Sequence, residues 1–219
     1  MWKRFLLAAA PLLLAGLVTA TPAAAQRGRD LIPQAIAQVQ TMQADPRMRA
    51  LLANSRGVLL VPQYGHGAFI IGGRGGTGVL LLRTADGRWS NPAFFNLGGI
   101  SIGLQAGGTT GQIAYVLMSD NAVRQFEQGN QFSLSAGAGL HVADFRGGGR
   151  TTDLTRNDIV AWSNTTGAYG GVDVGATNVS FDRQLTSDFY GVPDIGLRQV
   201  LDGQVRSPDA DSLRRAMPR

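Results

Sequence analysis

The stretch that decides the fold is GVLLVPQYGHGAFIIGGRGGTGVLLLRTADGRW, residues 57–89. In it, short runs of β-branched and large apolar residues are separated by glycines, and Ala85-Asp86-Gly87 has the composition of a tight hairpin turn. Glycines within such runs mark bulges, tight bends and close backbone approach rather than low complexity. This stretch therefore predicts β-strands in an antiparallel arrangement.

The same alternation of glycine with apolar and aromatic residues continues to residue 181. It is typical of a sheet built from many short strands. The predicted strands are Val58–Val61, Ala68–Ile71, Val79–Arg83, Ile100–Ala106, Ile113–Met118, Phe132–Ala136, His141–Phe145, Ile159–Trp162 and Tyr169–Phe181.

Helical periodicity occurs before the strands, once among them, and after them. Asp30–Asn54 predicts two helices, because Asp45-Pro46 supplies an N-cap and a first-turn proline in its middle. A third helix is predicted to start at Ser119 or Asp120. In the polar C-terminal part we expect a short helix over Pro193–Leu201 and a last one capped by Asp209. The fold class is thus α+β and mainly antiparallel β, a glycine-rich sheet or barrel with N-terminal and short C-terminal helices.

The first 25 residues have the three parts of a cleavable secretory signal. Lys3 and Arg4 are followed by an apolar run of about 14 residues and then by Ala23-Ala24-Ala25, so cleavage is expected before Gln26. A membrane anchor is the alternative, but spanning a bilayer takes roughly 20 apolar residues and Pro11 interrupts the run. We therefore expect an exported protein, periplasmic or extracellular, with residues 26–219 as a single domain that has its core at 55–182 and a polar tail at 183–219.

Composition and charge exclude several classes of function. The chain has no cysteine, which excludes thiol chemistry and cysteine-based metal sites. Removing the signal leaves 18 of the 20 basic residues against 15 acidic ones, a net charge of +3, and all 18 are arginines. A mildly basic exported chain without a basic run is not expected to bind nucleic acid. We expect no cofactor.

Two short motifs resemble catalytic signatures but stand in the wrong context. Gly73–Gly78 matches the dinucleotide fingerprint, yet a predicted strand follows where a helix must start, so no nucleotide is expected. Gly99-Ile100-Ser101-Ile102-Gly103 matches the nucleophile elbow of hydrolases, but the glycines after it do not start a helix. His66 and His141 are the only histidines, and no acidic residues are spaced around them as a metal cage, so no metal site is predicted.

A series of motifs follows along the chain: Ser55–Pro62, Gly67–Phe69, Gly78–Leu80, Trp89–Phe94, Gly99–Gly107, Val116–Ser119 with Phe126, and Gly167–Val172. In this order they resemble the SYLF domain family, a lipid-binding domain also known from yeast actin-patch proteins as an actin-binding domain. The resemblance covers Ser55–Val174, and the tail from Phe189-Tyr190-Gly191 through Ile195 and Leu201 is similar to that of bacterial-type members. One departure is Val174-Gly175-Ala176, where the family usually has Leu-Glu-Gly, so a role of that glutamate is absent or moved.

The resemblance implies a non-enzymatic domain that binds phospholipid. After export its partner would be an anionic phospholipid or membrane surface of the cell envelope, and actin binding is not expected in that compartment. The alternative is a structural or protein-interaction domain of the envelope without a specific lipid ligand.

The residues themselves suggest where lipid would bind. Arginines flank an apolar stripe in the second predicted helix, so their guanidinium groups would pair with phosphates while the stripe meets the acyl boundary. In the alternative, the stripe packs on the sheet and the arginines are solvated. The candidate lipid-binding residues are Arg47, Met48, Arg49, Leu51, Leu52 and Arg56, with Arg74, Trp89 and Phe94 on the glycine-rich sheet as a second location.

Overall fold

A sheet of eight strands is the centre of the structure, a computed structural model that describes residues 23–66, 74–101, 111–129, 131–135, 139–142, 157–164 and 175–219. The strand order is β5-β8-β3-β2-β1-β4-β7-β6. All neighbours are antiparallel except β6 and β7, which are parallel. The strands are β1 (Gly57–His66), β2 (Arg74–Leu82), β3 (Ala93–Ser101), β4 (Gly111–Leu117), β5 (Phe132–Leu134), β6 (Leu140–Val142), β7 (Ile159–Ser163) and β8 (Gly175–Phe181).

The sheet curls so far that its two edges nearly meet. Strands β5 and β6 end the strand order, yet the Leu140 N–H donates to the Ser135 carbonyl across them at 3.3 Å. Leu134 of β5 and Leu140 of β6 also belong to the same apolar cluster. The prediction of a mainly antiparallel, glycine-rich sheet or barrel in an α+β fold is therefore confirmed.

Six helices are found in the described residues, and they lie on two sides of the sheet. Four of them pack on the outer face and two, α3 and α5, contribute to the inner core. The helices are α1 (Ala23–Gln43), α2 (Pro46–Ala53), α3 (Asp120–Glu127), α4 (Arg183–Tyr190), α5 (Leu197–Leu201) and α6 (Pro208–Ala216). Among the described helices, none combines the length and apolar character needed to cross a bilayer.

Successive residues of the central strands alternate between two apolar cores. In β1, Leu59 and Val61 point into the inner core, whereas Val58 and Leu60 point into the outer core. The inner core includes an edge-on contact of the Phe95 ring with the ring of Phe126 from α3, at 5.7 Å between centroids. Because both faces are covered, the central strands are apolar at nearly every position, which is why they stand out in the sequence.

Local capping explains the two helix starts that the sequence predicts correctly. The Asp45 carboxylate accepts a hydrogen bond from the Arg47 backbone N–H at 2.8 Å, and Pro46 occupies the first turn of α2. The Ser119 hydroxyl accepts from the Ala122 backbone N–H at 3.1 Å and starts α3. Each cap satisfies a backbone donor that a helix end leaves unpaired.

The structure corrects the prediction in the C-terminal part. Residues after Asp182, where no helix was expected before Pro193, form helix α4, which Asp182 caps and which ends at Gly191 in a left-handed conformation with φ 68°. Leu185 and Phe189 of α4 are buried in the outer core. Helix α6 is capped at Ser207 rather than Asp209, because Pro208 takes the first position of the helix.

Several strand boundaries also differ. Strand β1 runs to His66 rather than Val61, and β2 begins at Arg74 rather than Val79. The strand expected at Ile100–Ala106 begins at Ala93, so the apolar residues Phe94, Phe95 and Leu97 belong to β3. The predicted strand at Ala68–Ile71, and the predicted strand residues 102–106, Ala136, 143–145 and 169–174, lie outside the described residues.

Candidate binding surface

The apolar stripe of α2 is part of the core. The side chains of Met48, Leu51 and Leu52 are fully buried, at 0% exposure, in the outer core between α1 and the sheet. The sequence left two alternatives for this stripe, contact with a membrane or packing on the sheet, and in the structure it packs in the core. These three side chains are therefore not on the surface that a bilayer would meet.

Phe94, from the second predicted location, is also inside the protein. Its side chain is completely buried, and its ring lies edge-on to the ring of Phe189 from α4 at 5.0 Å between centroids. The side chain of Arg74 is outside the described residues, although its backbone belongs to β2. Phe94 therefore does not contribute to an exposed lipid site.

Two arginines lie at the corner between α1 and α2. The Arg47 guanidinium pairs with the Asp45 carboxylate at 2.9 Å, and Arg49 donates two hydrogen bonds to the Gln43 carbonyl, at 2.6 and 3.0 Å. Partial burial raises the pKa of Asp45, but the hydrogen bonds from Arg47 outweigh this and hold the pKa below its usual value. Arg49 belongs to α2, but its guanidinium group lies at the C-terminal end of α1, where the negative end of the helix dipole also stabilises a cation.

Arg56 stands at the start of β1, beside α3. Its Nε lies 3.5 Å from the Asp120 carboxylate, and its side chain is 58% exposed. An ion pair this exposed contributes little to stability, about 0–1 kcal/mol. Arg56 is therefore available to solution.

A second arginine cluster surrounds the turn between β2 and β3. The Arg83 guanidinium carbon lies 4.1 Å from the centroid of the Trp89 ring, in a cation–π arrangement. Arg83 also donates to the carbonyls of Gly87, at 2.8 Å, Ala53, at 3.3 Å, and Pro218, at 3.1 Å. Burial lowers the pKa of the Arg83 guanidinium, because desolvation disfavours its charged form.

Hydrogen bonds join these two clusters into one continuous region. The Arg83 backbone N–H donates to the Arg56 carbonyl at 2.7 Å, and the Gln43 amide donates to the Ala216 carbonyl at 2.9 Å, two residues before the Pro218 carbonyl that Arg83 contacts. The region lies where β1 begins and β2 ends. We call Arg47, Arg49, Arg56, Arg83 and Arg88 the arginine rim.

The structure thus separates the sequence-predicted residues into two groups. Arg47, Arg49 and Arg56 lie on the rim, and Trp89, 6% exposed, lies under it. Arg83 and Arg88 were missed by sequence reasoning. The hairpin turn between them was recognised from the sequence. The position of Arg83 beside α2 and the C-terminal residues depends on tertiary contacts with Ala53 and Pro218.

The hairpin turn carries a carboxylate with a depressed pKa. Asp86 accepts a hydrogen bond from the Thr84 hydroxyl at 2.5 Å and one from the Arg88 Nε at 2.6 Å. These bonds, that of Thr84 first, lower the pKa of Asp86 to about 2 from the ordinary value of 3.8. The turn is completed by Gly87 with φ 77°, a conformation that glycine adopts without strain.

The low pKa of Asp86 predicts a pH dependence of the turn. Because the folded pKa lies below the unfolded one, the contribution of Asp86 to stability is present above pH 3.8 and is lost as pH falls through about 2. A carboxyl-carbon NMR titration of Asp86 should have its midpoint near 2, and the titration should disappear in Asp86→Asn. A midpoint near 3.8 would show that the turn hydrogen bonds do not form in solution.

Three further residues considered from the sequence are His66, Ser101 and His141. His141 is exposed on β6, and the side chains of His66 and Ser101 are outside the described part. No group of three or more histidine, aspartate or glutamate side chains close enough to hold a metal ion is found among the residues that the structure describes.

A buried amide on α1 was not expected. Gln38 is completely buried, and its Nε2 donates to the Ile113 carbonyl of β4 at 2.8 Å. The adjoining strand β1 has an irregular register between Val61 and Tyr64, a segment containing Pro62, which has no backbone N–H to donate. The Gln38 amide therefore supplies a donor next to a break in the strand pairing.

Comparisons with known proteins agree with the motif order of the sequence. Residues 98–219, more than half of the chain, match the Ysc84 family, described as "Las17-binding protein actin regulator". Protein YSC84 of Saccharomyces cerevisiae is 28% identical over 166 residues, which are 73% of this chain and 35% of the yeast protein.

Two further relatives match a similar share of this chain. LAS seventeen-binding protein 3 of Saccharomyces cerevisiae is 26% identical over 166 residues, 73% of this chain and 35% of that protein. SH3 domain-containing YSC84-like protein 1 of Xenopus laevis is 23% identical over 163 residues, 72% of this chain and 48% of the frog protein. The chain thus spans less than half the length of these relatives. The family description and the name of one relative refer to binding or regulation. The resemblance to SYLF domains is confirmed, and the chain belongs to the Ysc84 family.

Proposed function

We propose that this chain is a non-enzymatic module that binds anionic phospholipid surfaces of the cell envelope through the arginine rim. The observation that carries the proposal is that hydrogen bonds connect the α1–α2 corner, the start of β1 and the β2–β3 turn, the three segments that carry the five arginines. Guanidinium groups suit this role because their planar fork matches the geometry of phosphate oxygens.

The rim keeps a positive charge after its internal pairing. Arg47, Arg56 and Arg88 face the carboxylates of Asp45, Asp120 and Asp86, whereas Arg49 and Arg83 donate to backbone carbonyls, which carry no net charge. Each arginine near an anionic membrane contributes about 1 kcal/mol of binding, and this falls off within a Debye length. The proposed attachment is therefore peripheral and sensitive to salt.

Burial of the α2 stripe supports a surface contact without deep insertion. Met48, Leu51 and Leu52 fill the outer core, so the apolar contribution first expected from them is used in folding instead. Electrostatic attraction then supplies most of the affinity, and neutral membranes should bind weakly.

A protein-interaction function is the second candidate, because the family description and the name of a yeast relative refer to Las17 binding. An exported chain would meet neither Las17 nor actin, so this candidate requires a protein of the envelope as partner. The arginines of the rim and the carboxylates paired with them also suit a charged protein surface.

Export is part of the proposal and has its own prediction. Ala23 and Ala25 occupy the small-residue positions of a cleavage site, so the purified mature protein should begin at Gln26. The intact mass of the protein recovered from the periplasm or medium checks this. A mass that retains residues 1–25 would contradict both export and the restriction of partners to the envelope.

Liposome flotation tests the function. The protein should float with vesicles of phosphatidylglycerol and phosphatidylcholine at low salt, much less at about 0.5 M salt, where the Debye length is shorter than 10 Å, and not with phosphatidylcholine alone. Equal flotation with both compositions would contradict an electrostatic rim. No flotation under any condition, together with capture of a defined envelope protein, would favour the second candidate.

A further inference from the structure

One oxygen atom on the arginine rim is held by two side chains at once. The Trp89 Nε1–H donates to the Pro218 carbonyl at 2.7 Å, and an Arg83 N–H donates to the same oxygen at 3.1 Å. Trp89 and Arg83 face each other across a backbone bridge at the base of the β2–β3 turn. Two rigidly placed donors therefore define a site for a single oxygen acceptor.

The acceptor that fills this site is a neutral carbonyl. A guanidinium bound to a charged oxygen forms a stronger hydrogen bond than one bound to a neutral carbonyl, roughly twice as strong. Arg83 also lies on a surface with further arginines, and no carboxylate among the described residues forms an ion pair with it. The chemistry of the site thus suits a phosphate oxygen better than the peptide oxygen it holds.

The segment that delivers the carbonyl is short and lightly anchored. The strap consists of Ala216, the last residue of α6, and the two residues after it, Met217 and Pro218. Their attachments are the buried Met217 side chain, the Gln43 bond to the Ala216 carbonyl and the two bonds to the Pro218 carbonyl. Segments with so few buried contacts open at a much lower free energy than the whole domain does.

We propose that the strap is an exchangeable occupant of the Arg83–Trp89 site, and that an anionic lipid headgroup displaces it by placing a phosphate oxygen between these two donors. This inference rests on the proposed function and names the subsite within the rim. The membrane shifts the equilibrium because it binds the strap-open form better than the strap-closed form. Exposure of the Trp89 indole then adds an aromatic anchor of the kind enriched at membrane interfaces.

Loosening the strap should raise membrane affinity. Met217→Ala removes the buried anchor, so a larger fraction of molecules is open and the apparent affinity for anionic vesicles increases, by about fivefold or more, in proportion to that fraction. Met42→Ala is the matched control, because Met42 is a buried methionine of the same cluster that does not belong to the strap. Both variants are compared with the parent at equal folded fraction, measured by circular dichroism.

Two additional measurements identify the site and the ligand. In the Met217→Ala protein, Trp89→Phe keeps an aromatic ring but removes the N–H donor, and should reverse the gain in affinity. Because the chain has no cysteine, a bimane label on Arg219→Cys reports release of the strap, since contact with the Trp89 indole quenches it. Its emission should rise with phosphatidylglycerol vesicles, but not with phosphatidylcholine vesicles or with inorganic phosphate at the same phosphate concentration.

The outcomes separate this inference from the proposed function. If the parent floats with anionic vesicles but Met217→Ala and Met42→Ala bind them as the parent does, the strap is a fixed part of the fold and the inference is wrong, while the rim stands. If neither the parent nor Met217→Ala binds any vesicle, both the inference and the proposed function are wrong. Release of the label by inorganic phosphate alone would overturn the assignment to a lipid surface.

Discussion

Met48→Ala is expected to lower the free energy of unfolding by about 2–5 kcal/mol, the range for truncating a fully buried large side chain to alanine. Met48 is completely buried between α1 and the sheet, so the substitution removes apolar contacts and leaves a cavity. Urea denaturation followed by circular dichroism measures the change. Below the unfolding transition, binding of the variant to anionic vesicles should equal that of the parent.

An exposed apolar residue serves as the control for Met48. Val192 is 38% exposed in the turn after α4, and Val192→Ala should change stability by about 0.5 kcal/mol or less. If Met48→Ala kept full stability but lost vesicle binding, the α2 stripe would face the membrane and the core described here would be wrong.

The double variant Arg49→Gln, Arg56→Gln should weaken binding to anionic vesicles by about 2 kcal/mol, roughly 30-fold, at about 1 kcal/mol for each arginine near the surface. Both side chains are exposed on the rim, and glutamine keeps much of their length and polarity. Loss of the Arg49 bonds to the Gln43 carbonyl should lower stability by about 0.5–1.5 kcal/mol, so the variant remains folded. Titration with vesicles at low salt measures the affinity.

The matched control removes the same charge elsewhere. Arg27 and Arg29 are exposed in the first turns of α1, about 20–25 Å along the helix axis from Gln43, whose carbonyl Arg49 contacts, at 1.5 Å per residue. Arg27→Gln, Arg29→Gln should therefore weaken vesicle binding by much less than the rim variant. Equal losses for the two double variants would mean that net charge, rather than the rim, controls binding.

Elements with local signals could be predicted from the sequence. The break between α1 and α2 is specified by Asp45-Pro46 and the start of α3 by Ser119, because capping depends on residues within one turn. The central strands β1, β4 and β7 were also found, since burial on both faces makes them continuously apolar. Their pairing order was not predicted, because it depends on contacts between distant parts of the chain.

Three features could not be predicted from the sequence, each for a physical reason. Helix α4 was missed because its two buried apolar residues, Leu185 and Phe189, are separated by polar ones in a segment of only eight residues. The α2 stripe was correctly placed on one helix face, but periodicity cannot tell whether that face meets a sheet or a membrane. The site at Arg83 depends on Pro218, 135 positions away, and no local pattern signals such a contact.

If the protein is exported as proposed, the N-terminal end of α1 sets an order of events during biogenesis. Ala25 is only 3% exposed, and the next turn of the helix brings Gly28 against the Phe189 ring, where an added Cβ would lie 3.1 Å from Cδ2. A signal peptidase acting between Ala25 and Gln26 needs that bond extended and accessible. We therefore expect processing to precede docking of α1 on the sheet, so that slow cleavage would delay the final step of folding rather than follow it.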